Sequence, residues 1–108
     1  MAVAREEILR KIVDALVREY RPEKVYLFGS LADGAADEDS DIDLLIIKRT
    51  SRKFLDRWDR VQEILTGAHH AVPVDTFVMT PDEVEERLRR GDQFVAEMLR
   101  GELLYAAE

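Results

Sequence analysis

The chain has 108 residues and no cysteine, and its formal net charge is −7. The length fits one small domain over residues 1–108, and the lack of cysteine excludes disulfides and thiolate metal sites. The acidic balance argues against direct nucleic-acid binding, which needs a basic face. The sequence has no apolar run near the ~20 residues of a membrane span. It also has no recognisable signal peptide, so we expect a cytoplasmic protein.

The N-terminal half predicts a helix followed by two strands. Apolar residues recur at helical spacing over residues 8–17, which predicts a helix of about fifteen residues that Pro22 ends. Residues 25–28 predict the first strand, and residues 31–36 predict a short helix or turn. Residues 42–47 predict the second strand. After Asp43 its side chains are apolar on both faces, which indicates a strand in the centre of a sheet.

A second helix is predicted where apolar side chains recur at helical spacing before Gly67, which should close it. The stripe consists of Phe54, Trp58, Val61 and Leu65. We expect Trp58 to belong to the core rather than to a base-stacking surface. His69 and His70 follow, and without cysteines or further histidines they indicate a loop rather than a zinc site.

The C-terminal third predicts two strands and two helices. Residues 72–78 form the third strand, with Pro73 at its start or at a sheet edge. The run Thr-Pro-Asp-Glu at 80–83 is a helix start with a capping box. A further helix covers residues 92–100, and a short strand covers 103–105. Strands separated by helices indicate an α/β domain, a short mixed sheet with helices packed against it.

The most informative motif joins the first two strands. Gly29 and Ser30 follow the first strand, and after ten more residues Asp41 and Asp43 open the second. Residues two apart in a strand point to the same face, so the two carboxylates project together. Such a pair repels unless a cation joins it, and magnesium suits oxygen ligands and bridges to phosphates. The glycine-serine turn supplies backbone N–H groups and a hydroxyl for a phosphate.

Other interpretations of this acidic segment are weaker but open. Asp37, Asp39 and Asp41 alternate as in an EF-hand, but the sixth position would be Ile42, where the sharp turn demands glycine. A solvated acidic loop is also possible, with Asp41 and Asp43 only capping the strand entry. Ser40 could contact a nucleotide or merely turn the chain.

Two-metal phosphoryl transfer would require a third carboxylate, since two ions about 3.5–4 Å apart hold the attacking and leaving oxygens. Asp75 is the candidate, because it lies inside a predicted strand, where aspartate is disfavoured. The alternative is an exposed aspartate on an edge strand, which the nearby Pro73 would permit.

Gly29-Ser30, the ten-residue gap and Asp41-Ile42-Asp43 together resemble the signature of the DNA polymerase β-like nucleotidyltransferases. With its short length, the chain is similar to the minimal nucleotidyltransferases that are antitoxin partners of HEPN-domain toxins. The leading helix, the strand with Val74-Asp75 and the closing strand all lie where that family has such features.

The resemblance implies a magnesium-dependent enzyme that moves AMP from ATP to a hydroxyl. In the antitoxins that hydroxyl belongs to a tyrosine of the HEPN toxin, so a hetero-oligomer is expected. The implied catalytic residues and metal ligands are Asp41, Asp43 and Asp75. The implied nucleotide-binding residues are Gly29, Ser30 and Ser40.

One departure from the family leaves a second function open. Related proteins often carry arginine after Gly-Ser, whereas residues 31–34 here contain no base. A basic run after the second strand could compensate or could be a solvated surface; it consists of Lys48, Arg49, Arg52 and Lys53. The alternative is a catalytically weak or inactive binding module that neutralises its partner by occlusion. Transfer to a small molecule of the aminoglycoside type is less favoured, because 108 residues leave little room for an acceptor-binding domain.

Overall fold

A computed structural model describes residues 2–29, 42–68 and 74–107. The helices in this part of the chain are α1 Ala2–Glu19, α2 Phe54–Ala68, α3 Pro81–Arg89 and α4 Gln93–Leu99. The strands are β1 Lys24–Phe28, β2 Ile42–Ile47, β3 Val74–Met79 and β4 Glu102–Ala106. The predictions for residues 31–36, for Pro73 and for the loop at His69 and His70 lie outside the described residues.

The four strands form one mixed sheet in the order β3-β2-β1-β4. β1 pairs antiparallel with both β2 and β4, whereas β2 and β3 run parallel. The predicted α/β fold with a short mixed sheet is therefore confirmed, and so is the central place of β2. β3 and β4 are the edges. Among the described residues, no helix combines the length and the apolarity needed to cross a membrane.

Alternation along β2 divides the core between the two faces of the sheet. Ile42, Leu44 and Ile46 point to the face covered by α1 and α2, where Ile12 and Val61 are fully buried. Leu45 and Ile47 point to the other face, which α3 and α4 cover. Asp43 lies on this second face, near the N-terminal end of β2.

The helix ends follow the sequence closely. Thr80 and Glu83 form the predicted capping box, with Glu83 N donating to Thr80 Oγ1 at 3.1 Å and Thr80 N donating to Glu83 Oε1 at 2.8 Å. α1 ends at Glu19, and Arg21, whose φ of 53° is left-handed, follows it just before Pro22. The prediction that Gly67 closes α2 was wrong by one residue, because the helix continues to Ala68.

The prediction that Trp58 belongs to the core was also wrong. Val61 and Leu65 are buried, but Phe54 is 50% and Trp58 is 42% exposed. The inward position on this part of the helix is taken by Arg57, which is 7% exposed and donates to Val78 O of the edge strand at 3.3 Å. The first half of α2 thus lies beside the edge of β3 and leaves its aromatic side chains at the surface.

Arg57 joins three elements through four hydrogen bonds. Its Nε donates to Arg52 O at 2.6 Å, and its Nη1 reaches Val78 O on β3. Its two terminal nitrogens also donate to the two carboxylate oxygens of Glu83, on α3, at 2.7 and 3.1 Å. This hydrogen bonding from Arg57 holds the pKa of Glu83 below its ordinary value.

We expect Arg57→Ala to destabilise the fold by about 2–3 kcal/mol, because the Val78 carbonyl and the Glu83 carboxylate lose their donor. Urea unfolding measures the change. The low pKa of Glu83 in the folded state means that the interaction stabilises above the ordinary pKa of glutamate and is lost as pH falls through the lowered pKa. The variant should therefore lose less stability on acidification than the original chain does.

Arg60→Ala is the matched control, because Arg60 forms an exposed helical pair with Glu63 at 2.7 Å. Such surface pairs contribute little, so a change within about 0.5 kcal/mol is expected. Equal losses in the two variants would contradict the role given to Arg57.

Candidate active site

The site is built on one row of residues that crosses the sheet. Asp43 of β2 is in register with Asp75 of β3 on one side and with Phe28 of β1 on the other. Register partners on neighbouring strands lie about 5 Å apart and project from the same face. Two carboxylates that are 32 positions apart in the sequence therefore lie side by side where the parallel strands begin.

Gly29 lies next to this row of residues, immediately after the end of β1. Its φ is +80°, a left-handed conformation that glycine adopts at little cost. A Cβ built on Gly29 would collide with Asp43 Oδ2 and would lie 3.3 Å from Asp43 Cγ. The backbone thus passes directly beside the carboxylate, at the position where the sequence predicts a phosphate-binding turn.

Asp43 and Asp75 open into a cavity of about 650 Å³. Asp43 is half-buried in it and Asp75 is exposed. The other described residues of the lining are Phe28, Phe54, Leu55, Trp58, Thr76, Phe77 and Phe94. Phe28, Phe77 and Phe94 contact one another with ring centroids 5.2 to 6.0 Å apart. In the part of the chain that the structure describes, the site therefore combines two acidic groups with mainly aromatic side chains.

Three of the predicted site residues, Ser30, Ser40 and Asp41, lie outside the described residues. Within the described ranges, no group of three or more His, Cys, Asp or Glu side chains is placed to hold a metal ion. Asp43 and Asp75 nevertheless suit a hard divalent cation, because they offer carboxylate oxygens from adjacent positions in a partly open site. Asp75 lies on an edge strand and is exposed, as its alternative interpretation also expected.

The basic run after β2 does not reach this cavity. Lys48 Nζ donates to Tyr20 O at 2.6 Å and lies 5.1 Å from the centroid of the Tyr20 ring. Arg49 lies 3.6 Å from Glu23. Both follow the far end of β2, about 16 Å along the strand from Asp43, and neither they nor Arg52 and Lys53 line the cavity. Of the two interpretations of this run, these contacts therefore favour a surface segment over a substitute for the missing arginine.

Sequence reasoning missed most of the aromatic lining. Phe77 could have been found, because it lies two residues after Asp75 and shares its face. Phe94 could not, because α4 meets β1 and β3 only in the folded chain. Leu55 is 70% exposed on α2 and carries no local signal that distinguishes it from a surface residue.

A mixed α/β sheet with paired carboxylates beside a glycine turn suits phosphoryl transfer. The profile of the family described as "Nucleotidyltransferase domain" matches residues 9–105. The chain therefore belongs to the nucleotidyltransferase domain family. A search of curated proteins found no match.

Solved structures give the same class. A protein proposed to be a nucleotidyltransferase from Sulfolobus solfataricus is 26% identical, with a TM-score of 0.59 over 74% of this chain and 70% of that one. A protein proposed to be a minimal nucleotidyltransferase is 27% identical, with a TM-score of 0.54 over 93% of both chains. A toxin-antitoxin structure with AMP-PNP shares the fold at 23% identity, with a TM-score of 0.60 over 92% of this chain and 73% of that one.

Proposed function

We propose that this nucleotidyltransferase domain uses magnesium to move AMP from ATP to a tyrosine hydroxyl of a partner HEPN-domain toxin, and so acts as its antitoxin. The observation that carries the proposal is the register pairing of Asp43 with Asp75 beside Gly29, inside a cavity open to the surface. The partner and the acceptor come from the sequence resemblance. The fold shared with a toxin-antitoxin structure containing AMP-PNP is in keeping with them.

In the proposed reaction, the acceptor oxygen forms a bond to the α-phosphorus of ATP. The bond from that phosphorus to the bridging oxygen breaks, and its electron pair leaves with pyrophosphate. Asp75 takes the proton of the acceptor hydroxyl. Backbone N–H groups of the Gly29-Ser30 turn orient the phosphates. A divalent ion held by Asp41, Asp43 and Asp75 would neutralise the negative charge of the phosphate oxygens when bound.

A binding module that acts by occlusion is the second candidate. It is favoured by the absence of a described basic side chain from the cavity lining, since triphosphate binding usually draws on such a cation. This candidate requires neither nucleotide binding nor the carboxylates, so the two functions differ in what they expect of ATP.

The first test is metal-linked nucleotide binding, measured by thermal unfolding. We expect Mg·ATP at about 100 times its dissociation constant to stabilise the fold by roughly 2.7 kcal/mol. In a small domain this raises the melting temperature by about 10 °C or more. ATP with a chelator should have little effect, because the carboxylates would repel the triphosphate. Equal shifts with and without magnesium, or none at all, would contradict the proposed site.

A further inference from the structure

The end of β1, directly before Gly29, is held by the C-terminal part of the fold. β4 pairs antiparallel with β1, and Glu102 is in register with Leu27. From the face of the sheet that α3 and α4 cover, the ring of Phe94 packs on the ring of Phe28, with centroids 6.0 Å apart and planes nearly perpendicular. β4 and α4 therefore contact the last two residues of β1 from different directions.

Gly101 joins α4 to β4 and lies directly against the backbone of β1. A Cβ built on Gly101 would collide with Leu27 O and would lie 3.0 Å from Leu27 C and 3.1 Å from Phe28 Cα. These atoms belong to the main chain, so they cannot move aside as the end of a flexible side chain can. The φ of Gly101 is not in the left-handed region, so the close approach, and not the backbone conformation, requires glycine here.

The turn at Gly101 has little freedom to move away from β1. Gly101 N donates to Met98 O at 3.1 Å. Met98 and Val95 of α4 are 1% and 3% exposed and belong to the core on the face that α3 and α4 cover. Moving the turn outward would therefore disturb two buried side chains, and closely packed cores resist such shifts.

The sheet order determines where a displaced end of β1 would go. β1 lies between β4 and β2, so a push from the β4 side moves its end toward β2. There Phe28 is in register with Asp43, and Gly29 lies so close to Asp43 Oδ2 that no Cβ fits between them. Two close contacts, one at Gly101 and one at Gly29, thus fix the end of β1 from both sides.

We propose that Gly101 is a positioning residue for the nucleotide-binding turn. Because it carries no side chain, the end of β1 can lie where Gly29 meets the phosphates beside Asp43. Gly101 is on the side of β1 away from Asp43 and is not among the described residues that line the cavity, so it acts through Leu27 and Phe28. The inference rests on the proposed function for the identity of the ligand, whereas the position of Gly29 can be measured without any ligand.

Gly101→Ala tests the inference, because it adds only the Cβ atom. A misplacement of about 1 Å outside the chemistry can cost about a hundred-fold in rate. We therefore expect AMP transfer to fall by about that factor and the Kd for Mg·ATP to rise about tenfold or more.

Labelling with ¹⁵N-glycine reports the position of the turn directly. The chain has five glycines, and each gives one backbone amide signal in an NMR spectrum. Without nucleotide, the signal of Gly29 should shift in Gly101→Ala, because the end of β1 has moved. The signal of Gly67, which lies on α2, should stay in place.

Gly91→Ala is the matched control. An added Cβ on Gly91 meets no atom within 4 Å. Its φ of +78° makes alanine unfavourable there, so this variant loses stability without a new contact to β1. Its Gly29 signal and its Mg·ATP affinity should equal those of the original chain. Equal changes in the two variants would mean that a general loss of stability explains them, and would overturn the inference.

The original chain supplies a second measurement, which does not require the variant to fold. If Gly101 and Gly29 are coupled through the end of β1, saturation with Mg·ATP should shift the signals of both. The signals of Gly67 and Gly91 should not move.

Each outcome bears on the inference separately from the proposed function. A shifted Gly29 signal and weaker Mg·ATP binding in Gly101→Ala, with neither in Gly91→Ala, support it. An unchanged Gly29 signal or an unchanged Mg·ATP affinity in folded Gly101→Ala overturns it and leaves the proposed function intact. If that variant does not fold, a shift of the Gly101 signal by Mg·ATP in the original chain supports the inference, and an unmoved signal overturns it. If the original chain does not bind Mg·ATP, the proposed function fails, and the Gly29 signal of Gly101→Ala alone decides whether Gly101 positions the turn.

Discussion

Asp43→Asn is expected to lower AMP transfer by about a thousand-fold or more while leaving the fold intact. Asp43 lies between Gly29 and Asp75. In the proposed reaction it would help to hold the divalent ion that neutralises charge on the transferred phosphate, and removing a ligand of that ion would remove a large part of the stabilisation of the transition state. Its side chain points into the cavity rather than into either core cluster, so substitution removes a charge without opening a void. Transfer of labelled AMP, together with thermal melts, measures both effects.

Asp14→Asn is the control of equal charge, because Asp14 is exposed on α1, which covers the opposite face of the sheet. It should transfer AMP at the original rate. Substantial activity in Asp43→Asn, or an equal loss in Asp14→Asn, would mean that the carboxylate is not part of the reaction.

The second large effect is expected at Gly29. In Gly29→Ala the new methyl group meets Asp43 Oδ2, so the carboxylate must move or the turn must open. Either change should remove most of the Mg·ATP melting shift and most of the AMP transfer. The left-handed backbone adds about 1–2 kcal/mol of destabilisation, which is seen in the melting temperature without ligand.

Gly91→Ala separates these two consequences. Gly91 has a φ of +78°, nearly the same as Gly29, but an added Cβ there meets no atom within 4 Å. The Gly91 variant should therefore lose similar stability and keep both nucleotide binding and transfer. If the two variants lose activity equally, backbone strain and not contact with Asp43 explains the loss.

The fold was largely predictable because its signals are local. The apolar block of β2 and the Thr-Pro-Asp-Glu start of α3 each determine their element from a few neighbouring residues. The α2 stripe was misjudged because helical periodicity shows which residues share a face but not how far that face extends over the sheet. There the buried Arg57, held by Val78 O and Glu83, takes the inward position, and Trp58 is left exposed.

The acidic part of the candidate site could also be predicted, because aspartate is disfavoured inside a strand and its presence there indicates a functional role. Its pairing with Asp43 depends on the parallel register of β2 and β3, which no local pattern determines. Phe94 and Leu55 enter the cavity through packing between distant elements, and that could not be predicted. The contact of Lys48 with Tyr20 likewise joins residues 28 positions apart, so the sequence alone did not indicate it.

The most direct measurement is the mass of a HEPN-domain partner after incubation with this domain and Mg·ATP. The proposal predicts that the partner gains whole AMP units on a tyrosine, and that the gain is absent with Asp43→Asn. It also predicts that the unmodified partner remains toxic in the presence of that variant. A stable complex with unchanged partner mass, and neutralisation that survives Asp43→Asn, would contradict the proposed chemistry and establish occlusion instead.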